Sequence, residues 1–410
     1  MTMAVTIERR TAEAPARSEA ARIAHIDVIT DLAAAEPIWR GLDGGTDTCT
    51  PYQRFDFLAV WQRQVGELKQ ASPYIVVAYD GEHRPLLLLP LALRRRLGVR
   101  VAAFMGDKHA TFNMPLCDKT FAGEADADDL KTLLAKLCDH ASVDVLALTQ
   151  QPQRWRELKN PFALLKHQPS VNPCPVLTIA PGSAPAALIS HSLRRRLKSK
   201  ERKLERLPGY RYRVATTDAE ITRLLDWFFR TKPLRMAAQK LPNVFGEPGV
   251  EDFVREACTT RLAGGRHAID IHALECDEEV IALFAGVADD QRFSMMFNTY
   301  TMSDHSRYSP GLILIRHIVD YYAAQGFRTL DLGSGLDDYK RLFCNGDEPI
   351  FDSFIPLSVH GKLAAPAMST LNRAKRLVKR NRALKQLVQW LRRAFFSRAP
   401  MNQRAPIGSG

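Results

Sequence analysis

The chain has 410 residues, of which 46% are hydrophobic and 25% charged, so a packed core is expected and wholesale disorder is excluded. Its seven cysteines are scattered without a C-x-x-C pair, which argues against a disulfide framework and against a structural zinc site; no metal site is expected. The net charge of +12 comes from two segments, residues 193–213 and 371–398, because the rest of the chain is slightly acidic.

Neither a membrane-spanning segment nor an export signal is evident. No stretch approaches the ~20 consecutive apolar residues that a membrane-spanning helix needs. The first 25 residues lack the continuous apolar core of a secretory signal, and residues 1–24 are predicted to form a flexible tail. We therefore expect a cytoplasmic protein with reduced cysteines.

The first half of the chain, residues 25–168, is predicted to be one α/β domain. Its predicted elements are strands at 74–79, 85–93 and 99–105, a helix at 127–140 and a strand at 143–148. The strands are rich in aliphatic residues, and Asp80-Gly81 between the first two is typical of a hairpin turn.

A proline-rich stretch, residues 169–189, is predicted to link two domains. A basic helix follows at 190–207 and ends at Pro208-Gly209. Residues 221–229 begin another helix, and residues 231–249, which contain three prolines, are predicted to form a long surface loop.

The second half, residues 190–360, repeats the order of the first. It has predicted strands at 268–274, 280–287 and 292–299, a loop at 300–308, a helix at 310–325 and a strand at 328–332. The spacing between equivalent elements is far too long for a solenoid repeat, so the pattern predicts two copies of one α/β domain.

The most informative segment opens the helix at 310–325. Ser309 is placed to cap this helix, Pro310 suits its first turn, and Gly311 exposes the backbone there. Free N–H groups at the positive end of a helix suit a phosphate or pyrophosphate. The alternative is a well-capped helix without a ligand.

The sequence Asp331-Leu332-Gly333-Ser334-Gly335 resembles the nucleotide-side motif of S-adenosylmethionine-dependent methyltransferases. Two features argue against that function. Asp337 lies in the region where a third glycine is expected, and the preceding strands form a meander and not a βαβ unit. A methyltransferase is therefore disfavoured.

The whole combination resembles the CelD-type acetyltransferases, GNAT-fold proteins that are related to the Fem-type aminoacyl transferases and associated with cellulose or exopolysaccharide biosynthesis. The matching residues are Ser309-Pro310-Gly311, Gly326, Asp331, Gly333, Gly335, Tyr339-Lys340 and Phe343. The resemblance covers roughly residues 25–360 and is most specific in this block.

This resemblance implies an α/β fold of tandem GNAT-like domains and an acyl group donated by acetyl-CoA or another acyl-CoA. In GNAT proteins the pyrophosphate of the donor sits before the central helix, so the resemblance implies donor contacts at Arg307, Ser309, Gly311 and Leu312. The loop has one glycine where the common GNAT pattern has two. Fem-type relatives use aminoacyl-tRNA, which stays an alternative donor.

Attack on a thioester needs a polarised carbonyl, a proton acceptor for the nucleophile and an acid for the departing thiolate. Backbone N–H groups of residues 294–299 are candidates to polarise the carbonyl. Tyr339, Tyr300 or Tyr308 are candidates to protonate the departing thiolate. Asp331 is predicted to orient or deprotonate the acceptor, although capping would also explain it, as packing would explain Tyr339.

Two further residues are predicted to bind substrate. Lys340 suits an anionic group of the donor or acceptor, and Tyr300 lies at the start of the loop. The basic helix at 193–207 is either solvated or binds an anionic acceptor, such as a sugar nucleotide or a lipid-linked glycan, or tRNA as in Fem-type proteins.

Residues 361–410 are predicted to form a basic amphipathic helix and tail. Apolar residues fall near one face of 371–398, which suits peripheral contact with an anionic membrane; packing on the protein body and RNA binding are the alternatives. Nucleic acid is not the expected partner, because bases need aromatic residues among the charges.

We therefore expect an acyltransferase of exopolysaccharide or cell-envelope metabolism, with a small-molecule or glycan acceptor. The donor site is expected in the second domain and the acceptor in the cleft between domains, while the first domain is a degenerate scaffold. The alternative from another class is a non-catalytic accessory protein of an envelope-polysaccharide complex.

Overall fold

The computed structural model describes residues 22–43, 49–335, 337–381 and Leu384. Nearly all of the predicted tail at 1–24 lies outside the described residues. So does most of the predicted amphipathic segment 371–398, apart from residues 371–381 and Leu384. Within the described parts, no helix is long and apolar enough to cross a membrane.

The secondary structure alternates between strands and helices along the described chain. The strands are β1 His25–Ile29, β2 Ser72–Tyr79, β3 Pro85–Arg96, β4 Val99–Phe104, β5 Leu116–Cys117, β6 Val145–Pro152, β7 Arg154–Trp155, β8 Leu158–Lys159, β9 Gln168–Pro169, β10 Cys174–Thr178, β11 Arg211–Val214, β12 Asp270–Glu275, β13 Val280–Ala288, β14 Arg292–Tyr300, β15 Thr329–Asp331, β16 Gly346–Glu348 and β17 Ile350–Pro356. The helices are α1 Leu32–Leu42, α2 Phe55–Trp61, α3 Lys119–Glu124, α4 Ala127–Asp139, α5 His191–Leu204, α6 Asp218–Ala238, α7 Val250–Thr259, α8 Pro310–Ala324 and α9 Val359–Arg380.

Two mixed sheets share one topology. In the first sheet β2, β3 and β4 form an antiparallel meander, and β6 returns through α4 to lie parallel to β4. In the second sheet β12, β13 and β14 form the meander, and β15 returns through α8 to lie parallel to β14. The predicted α/β fold with two copies of one domain is confirmed.

The strands that complete the two sheets cross between the halves of the chain. The chain passes from the first sheet to the second between β9 and β10, and β10 pairs there with β15. It then returns from the second sheet to the first between β16 and β17, and β17 pairs there with β6. The domain limits predicted at residues 169–189 and 360 stay predictions. The two sheets are not divided at these limits, because β17, which lies within the predicted second domain, belongs to the first sheet. Pairing over such sequence distances leaves no local pattern to read.

The two halves are joined by polar and aromatic contacts as well as by these strands. The hydroxyl groups of Tyr52 and Ser294 lie 2.9 Å apart, and Trp155 Nε1 donates to Asp289 Oδ2 at 3.1 Å. The rings of Phe57 and Phe253 meet edge to face, with centroids 5.4 Å apart. One buried core therefore extends from the first half into the second.

The predicted surface loop at 231–249 is wrong in its first part. α6 continues through Pro233 to Ala238, and Thr217 caps it in a reciprocal arrangement with Glu220. Proline usually ends a helix, but α6 packs on β13 and β14 and continues through Pro233. The correction matters because it places two basic side chains, Lys232 and Arg235, on a helix that faces β14.

Candidate functional site

The second sheet opens between two parallel strands. β14 and β15 pair only as far as Ser294 and Asp331, after which β14 continues to Tyr300 without pairing to β15. The chain after β15 turns toward β10, where the N–H of Gly335 donates to the carbonyl of Pro173 at 2.9 Å. This divergence leaves one edge of β14 open to a ligand.

A β-bulge lies at the start of the open edge. Met296 is the extra residue, because Gly286 pairs with Met295 while its neighbour on β13 pairs with Phe297. Gly333 approaches the same point with a left-handed backbone (φ 73°), and a Cβ there would lie 2.9 Å from the Met295 oxygen. Bulges are common beside active sites because they redirect a strand and its side chains.

Asn298 is the central residue of the open edge. Its carbonyl oxygen accepts a hydrogen bond from Lys232 Nζ at 2.8 Å, and its side chain lies beside the phenol of Tyr339. Burial, followed by the charge of Asp337, raises the pKa of Tyr339 above its ordinary range. The phenol is therefore neutral and retains a proton that it can donate.

Lys232 is the other titratable group at this edge. Burial lowers its pKa from 10.5 to about 8, and the positive charge of Arg235 contributes to the shift. A substantial fraction of the amine is therefore neutral in mildly alkaline solution. In that form it donates one hydrogen to Asn298 and retains a lone pair that can accept a proton.

The lowered pKa of Lys232 predicts a pH-dependent contribution to stability. Between about pH 8 and pH 10.5 the unfolded chain binds more protons at this residue than the folded chain, so folded stability rises with pH. The free energy of unfolding of the native protein should therefore rise relative to Lys232→Met by about 2 kcal/mol between pH 7 and pH 10. Urea unfolding across this range measures the difference, with Lys203→Met on the exposed side of α5 as the control. A constant difference would contradict the expectation.

The N-terminus of α8 lies beside the open edge and differs from its predicted form. Ser309 is the N-cap residue, with a left-handed backbone (φ 58°), but its side chain does not cap the helix; Ser309 Oγ accepts a hydrogen bond from Lys200 Nζ at 2.7 Å. The N–H groups of Leu312 and Ile313 donate to the Ser309 carbonyl. Because Pro310 has no N–H, the first turn offers fewer free donors than predicted, and Lys200 adds a positive charge.

Tyr300 and Arg235 cover this helix end. The Arg235 guanidinium lies 3.3 Å from the centroid of the Tyr300 ring, and a Cβ at Gly311 would lie 3.4 Å from that ring. Gly311 is therefore buried beneath Tyr300 and not open to solvent. Arg307 is exposed and lies 5.0 Å from the centroid of the Tyr308 ring. Of the four predicted donor contacts, Arg307 is therefore exposed, Ser309 and Leu312 are half-buried, and Gly311 is buried.

Lys340 is buried and holds the loop that follows β15. Its Nζ donates to the carbonyl oxygens of Gly333 (3.0 Å) and Ser334 (3.1 Å), and lies 3.2 Å from Asp337 Oδ2. These contacts use the donors of the ammonium group within the protein. The substrate-binding role of Lys340 stays a prediction, while its contacts favour a role in shaping the loop.

Asp331 is fully buried at the point where the strands diverge. Its Oδ1 accepts hydrogen bonds from Ser294 Oγ (2.9 Å) and the Gly333 N–H (3.1 Å), and its Oδ2 accepts from Arg292 Nε (2.9 Å). Burial by itself lowers the pKa of Arg292, but the charges of Asp331 and Glu348 outweigh it and raise that pKa. The catalytic role of Asp331 stays a prediction, and its contacts favour a positioning role.

A groove of about 1400 Å³ runs along α5, next to the N-terminus of α8. Its charged lining is entirely basic: Arg194, Arg195, Arg196, Lys198, Lys200, Arg202 and Arg341. Lys200 links this groove to Ser309. Arg194 is buried and pairs with Asp320, and Arg341 pairs with Asp347, whereas Arg195, Arg196, Lys198 and Arg202 are exposed. The exposed cations raise the local concentration of anions, so the groove suits a ligand that carries phosphate or carboxylate groups.

α5 is fixed against α8 by its acidic residue Glu201. Burial by itself raises the pKa of Glu201, but the hydrogen bond from His317 and the charges of His317 and Arg316 lower it below its ordinary value. Near the other end of the helix, Arg194 pairs with Asp320 at 2.7 Å. α5 therefore packs on one side and presents its remaining cations on the other.

The structure brings together some of the predicted site residues. Tyr339 and Tyr300 lie along the open edge of β14, whereas Lys340 and Asp331 lie behind it in the protein interior. The sequence did not identify Lys232 as a site residue, because the prolines in residues 231–249 predicted a surface loop there. Among the described residues, no cluster of three His, Cys, Asp or Glu side chains is arranged to hold a metal ion.

Comparison with solved structures gives the fold. FemX is similar over 80% of this chain and 96% of its own, with 7% sequence identity and a TM-score of 0.51. L-PGS from Bacillus licheniformis matches 89% of this chain and all of its own, with 12% identity and a TM-score of 0.47. A tandem GNAT protein from the clavulanic acid biosynthesis pathway matches 82% of this chain and 98% of its own, with 12% identity and a TM-score of 0.41.

Sequence comparison covers the second half. No curated protein matches the chain in sequence. Residues 191–341, less than half of the chain, match the family model described as an acetyltransferase (GNAT) domain. The more specific resemblance to CelD-type acetyltransferases stays a prediction. The second half of the chain thus matches a GNAT domain model, and the chain shares its fold with FemX.

Proposed function

We propose that this protein transfers an acyl group from a coenzyme A thioester to an amine or hydroxyl acceptor. The observation that carries the proposal is the open edge of β14, where Asn298 lies between Lys232 and Tyr339 beside the N-terminus of α8. An extended edge of this kind offers backbone donors to an acyl carbonyl, and Tyr339 offers a proton to the departing thiolate.

The proton and bond changes of the transfer can be assigned to this edge. The acceptor atom bonds to the thioester carbon, the carbon–sulfur bond breaks, and the acceptor loses one proton while the thiolate gains one. Tyr339 supplies the proton to sulfur. Lys232 in its neutral form is better placed than Asp331 to take the acceptor's proton, because both oxygens of Asp331 already accept hydrogen bonds.

The basic groove along α5 supports an anionic group on the donor or on the acceptor. Its cations suit the phosphates of coenzyme A and, equally, an acceptor such as a phosphorylated sugar. A place in exopolysaccharide or cell-envelope metabolism rests on the resemblance of residues 309–343 to CelD-type proteins.

Ligand-dependent thermal unfolding tests the proposal. A ligand at about 100 times its dissociation constant stabilises the folded protein by about 2.7 kcal/mol, so acetyl-CoA and CoA should both raise the melting temperature. S-adenosylmethionine serves as the control. Stabilisation by S-adenosylmethionine alone would favour a methyltransferase, and no stabilisation by any of the three would favour a tRNA donor or an accessory, non-catalytic role.

Lys200 gives a sharper test of the donor position. We expect Lys200→Glu to raise the dissociation constant of CoA roughly tenfold or more, because a charge-assisted hydrogen bond to phosphate contributes about 1.5–3 kcal/mol. Isothermal titration calorimetry measures the change. Lys203→Glu, with the same charge change on the exposed side of α5, is the matched control. Equal losses in both variants would indicate a general effect of charge and not a contact.

A further inference from the structure

Helix α9 packs on the first sheet, but it turns small and polar residues toward the protein, where most surface helices turn large apolar ones. Its inner face consists of small and polar residues: Gly361 and Ala365 are buried, and a side chain at Gly361 would collide with the Asp144 carbonyl oxygen. Ser369 Oγ donates to Gln168 Oε1 at 2.8 Å. Met368 and Val378 are half-buried. Surface helices usually turn their large apolar side chains inward, but α9 leaves Val359, Leu363 and Leu377 outside.

The outer face of α9 is apolar and exposed. Val359 is 76% exposed, Leu363 79% and Leu377 65%, and their spacing places all three on one side of the helix. Leu371 and Leu384 are also exposed. Pro366, Thr370 and Ala374 lie between Leu363 and Leu377 on the same side, so the large apolar side chains form one group near each end of α9. Grouped exposed apolar side chains mark an interaction site, whereas single ones are ordinary.

Positive charge borders this apolar face, and no acidic residue interrupts it. At helical spacing the exposed residues Lys362, Arg373 and Arg380 lie beside the apolar positions, although Arg373 Nε also donates to Gln168 Oε1 at 2.7 Å. Lys375 and Lys379 fall on the opposite side of α9, where Lys379 Nζ donates to Asn172 Oδ1 at 2.8 Å, and no aspartate or glutamate occurs between Val359 and Arg380. A helix with a cationic border and an outward apolar face has the chemistry of one that lies in the interface of a lipid bilayer.

We propose that the outer face of α9 docks on the surface of an anionic lipid bilayer. The three apolar side chains enter the boundary between headgroups and acyl chains, and the flanking cations contact lipid phosphates. The surface begins at Val359, twelve residues before the segment for which the sequence predicted membrane contact. This inference is independent of the acyl transfer proposed above.

Charge complementarity favours a bilayer over the other possible occupants. A second copy of the chain would place the same rows of cations opposite each other, and like charges repel. The chain beyond Leu384 is also basic and contains no acidic residue, so it offers no complement to this border. Anionic lipids supply the missing negative charge.

Vesicle co-sedimentation tests the inference with the full chain. We expect the native protein to sediment with vesicles of phosphatidylglycerol and phosphatidylcholine but not with phosphatidylcholine alone, and to lose binding in high salt. The double variant Leu363→Glu/Leu377→Glu should raise the lipid concentration for half-maximal binding by roughly tenfold or more. Leu97→Glu/Leu164→Glu, at exposed leucines elsewhere, is the matched control and should bind as the native protein does.

A second variant separates charge from apolar contact. Lys362→Glu/Arg380→Glu, at two positions that flank the apolar side chains, should weaken binding to anionic vesicles while circular dichroism and CoA binding stay unchanged. Equal binding by the native protein and both α9 variants would overturn the proposal. So would binding to neutral vesicles alone, or a dimer in solution that the Leu363→Glu/Leu377→Glu variant dissociates.

Discussion

Replacing Asp331 by asparagine is expected to lower the free energy of unfolding by about 3–5 kcal/mol, the usual cost of breaking a buried ion pair. The substitution removes the negative charge that faces the buried Arg292 and disturbs two further hydrogen bonds, from Ser294 and Gly333. Urea unfolding of both proteins at one pH measures the effect.

An exposed ion pair at the edge of the same sheet provides the control for this substitution. Asp347 pairs with Arg341 at 2.8 Å, with both side chains nearly half exposed. Surface pairs contribute about 0–1 kcal/mol, so Asp347→Asn should leave stability almost unchanged. If Asp331→Asn keeps full stability but loses acyl transfer, the catalytic role predicted from the sequence is preferred to the positioning role.

Arg292 extends this test to the contact between the two halves. Its guanidinium lies 4.3 Å from the ring centroid of Phe112 and 4.6 Å from that of Trp155, both in the first half. We expect Arg292→Met and Asp331→Asn to be non-additive in a double-mutant cycle, since each removes the partner of the other.

The second large effect is expected on catalysis. Tyr339→Phe should lower the rate of thioester turnover by about 100-fold or more, in the range reported for loss of a general acid, while CoA affinity changes less than twofold. The phenol is neutral at working pH because burial raises its pKa. Release of free thiol measures turnover, and calorimetry measures affinity.

A substrate with a better leaving group distinguishes proton donation from packing. A thioester of a more acidic thiol needs less help from an acid, so Tyr339→Phe should lose much less rate with that substrate. Tyr74→Phe, which removes a phenol hydrogen-bonded to Ser142 in the first sheet, is the matched control. An equal loss of rate with both thioesters would assign Tyr339 to structure alone.

The local pattern of the second half could be predicted from sequence. Alternating apolar residues and turn signals predicted the three-stranded meander, and Pro310 with Gly326 marked the two ends of α8 within about a residue. Their equivalents in the first half predicted the duplication. These features depend on residues that are close in sequence, and the structure confirms them.

The parts that sequence did not reveal depend on contacts between distant residues. Pro233 suggested the end of a helix, but α6 packs on the second sheet and continues, which brings Lys232 to Asn298. Ser309 occupies the N-cap position as predicted, yet its hydroxyl pairs with Lys200, a residue more than 100 positions away. The candidate site is built from such pairs, so its composition needed the structure.

Because β17 of the second half pairs with β6 of the first, the first sheet cannot fold completely until β17 has been synthesised. β6 ends at Pro152, but its partner β17 begins only at Ile350, so an edge of the first sheet stays uncovered while the ribosome makes the roughly 200 residues between them. Unpaired edges recruit other strands, and pairing over long sequence distances is slow. We therefore expect nascent or truncated chains that end before residue 350 to aggregate more than chains that include β17.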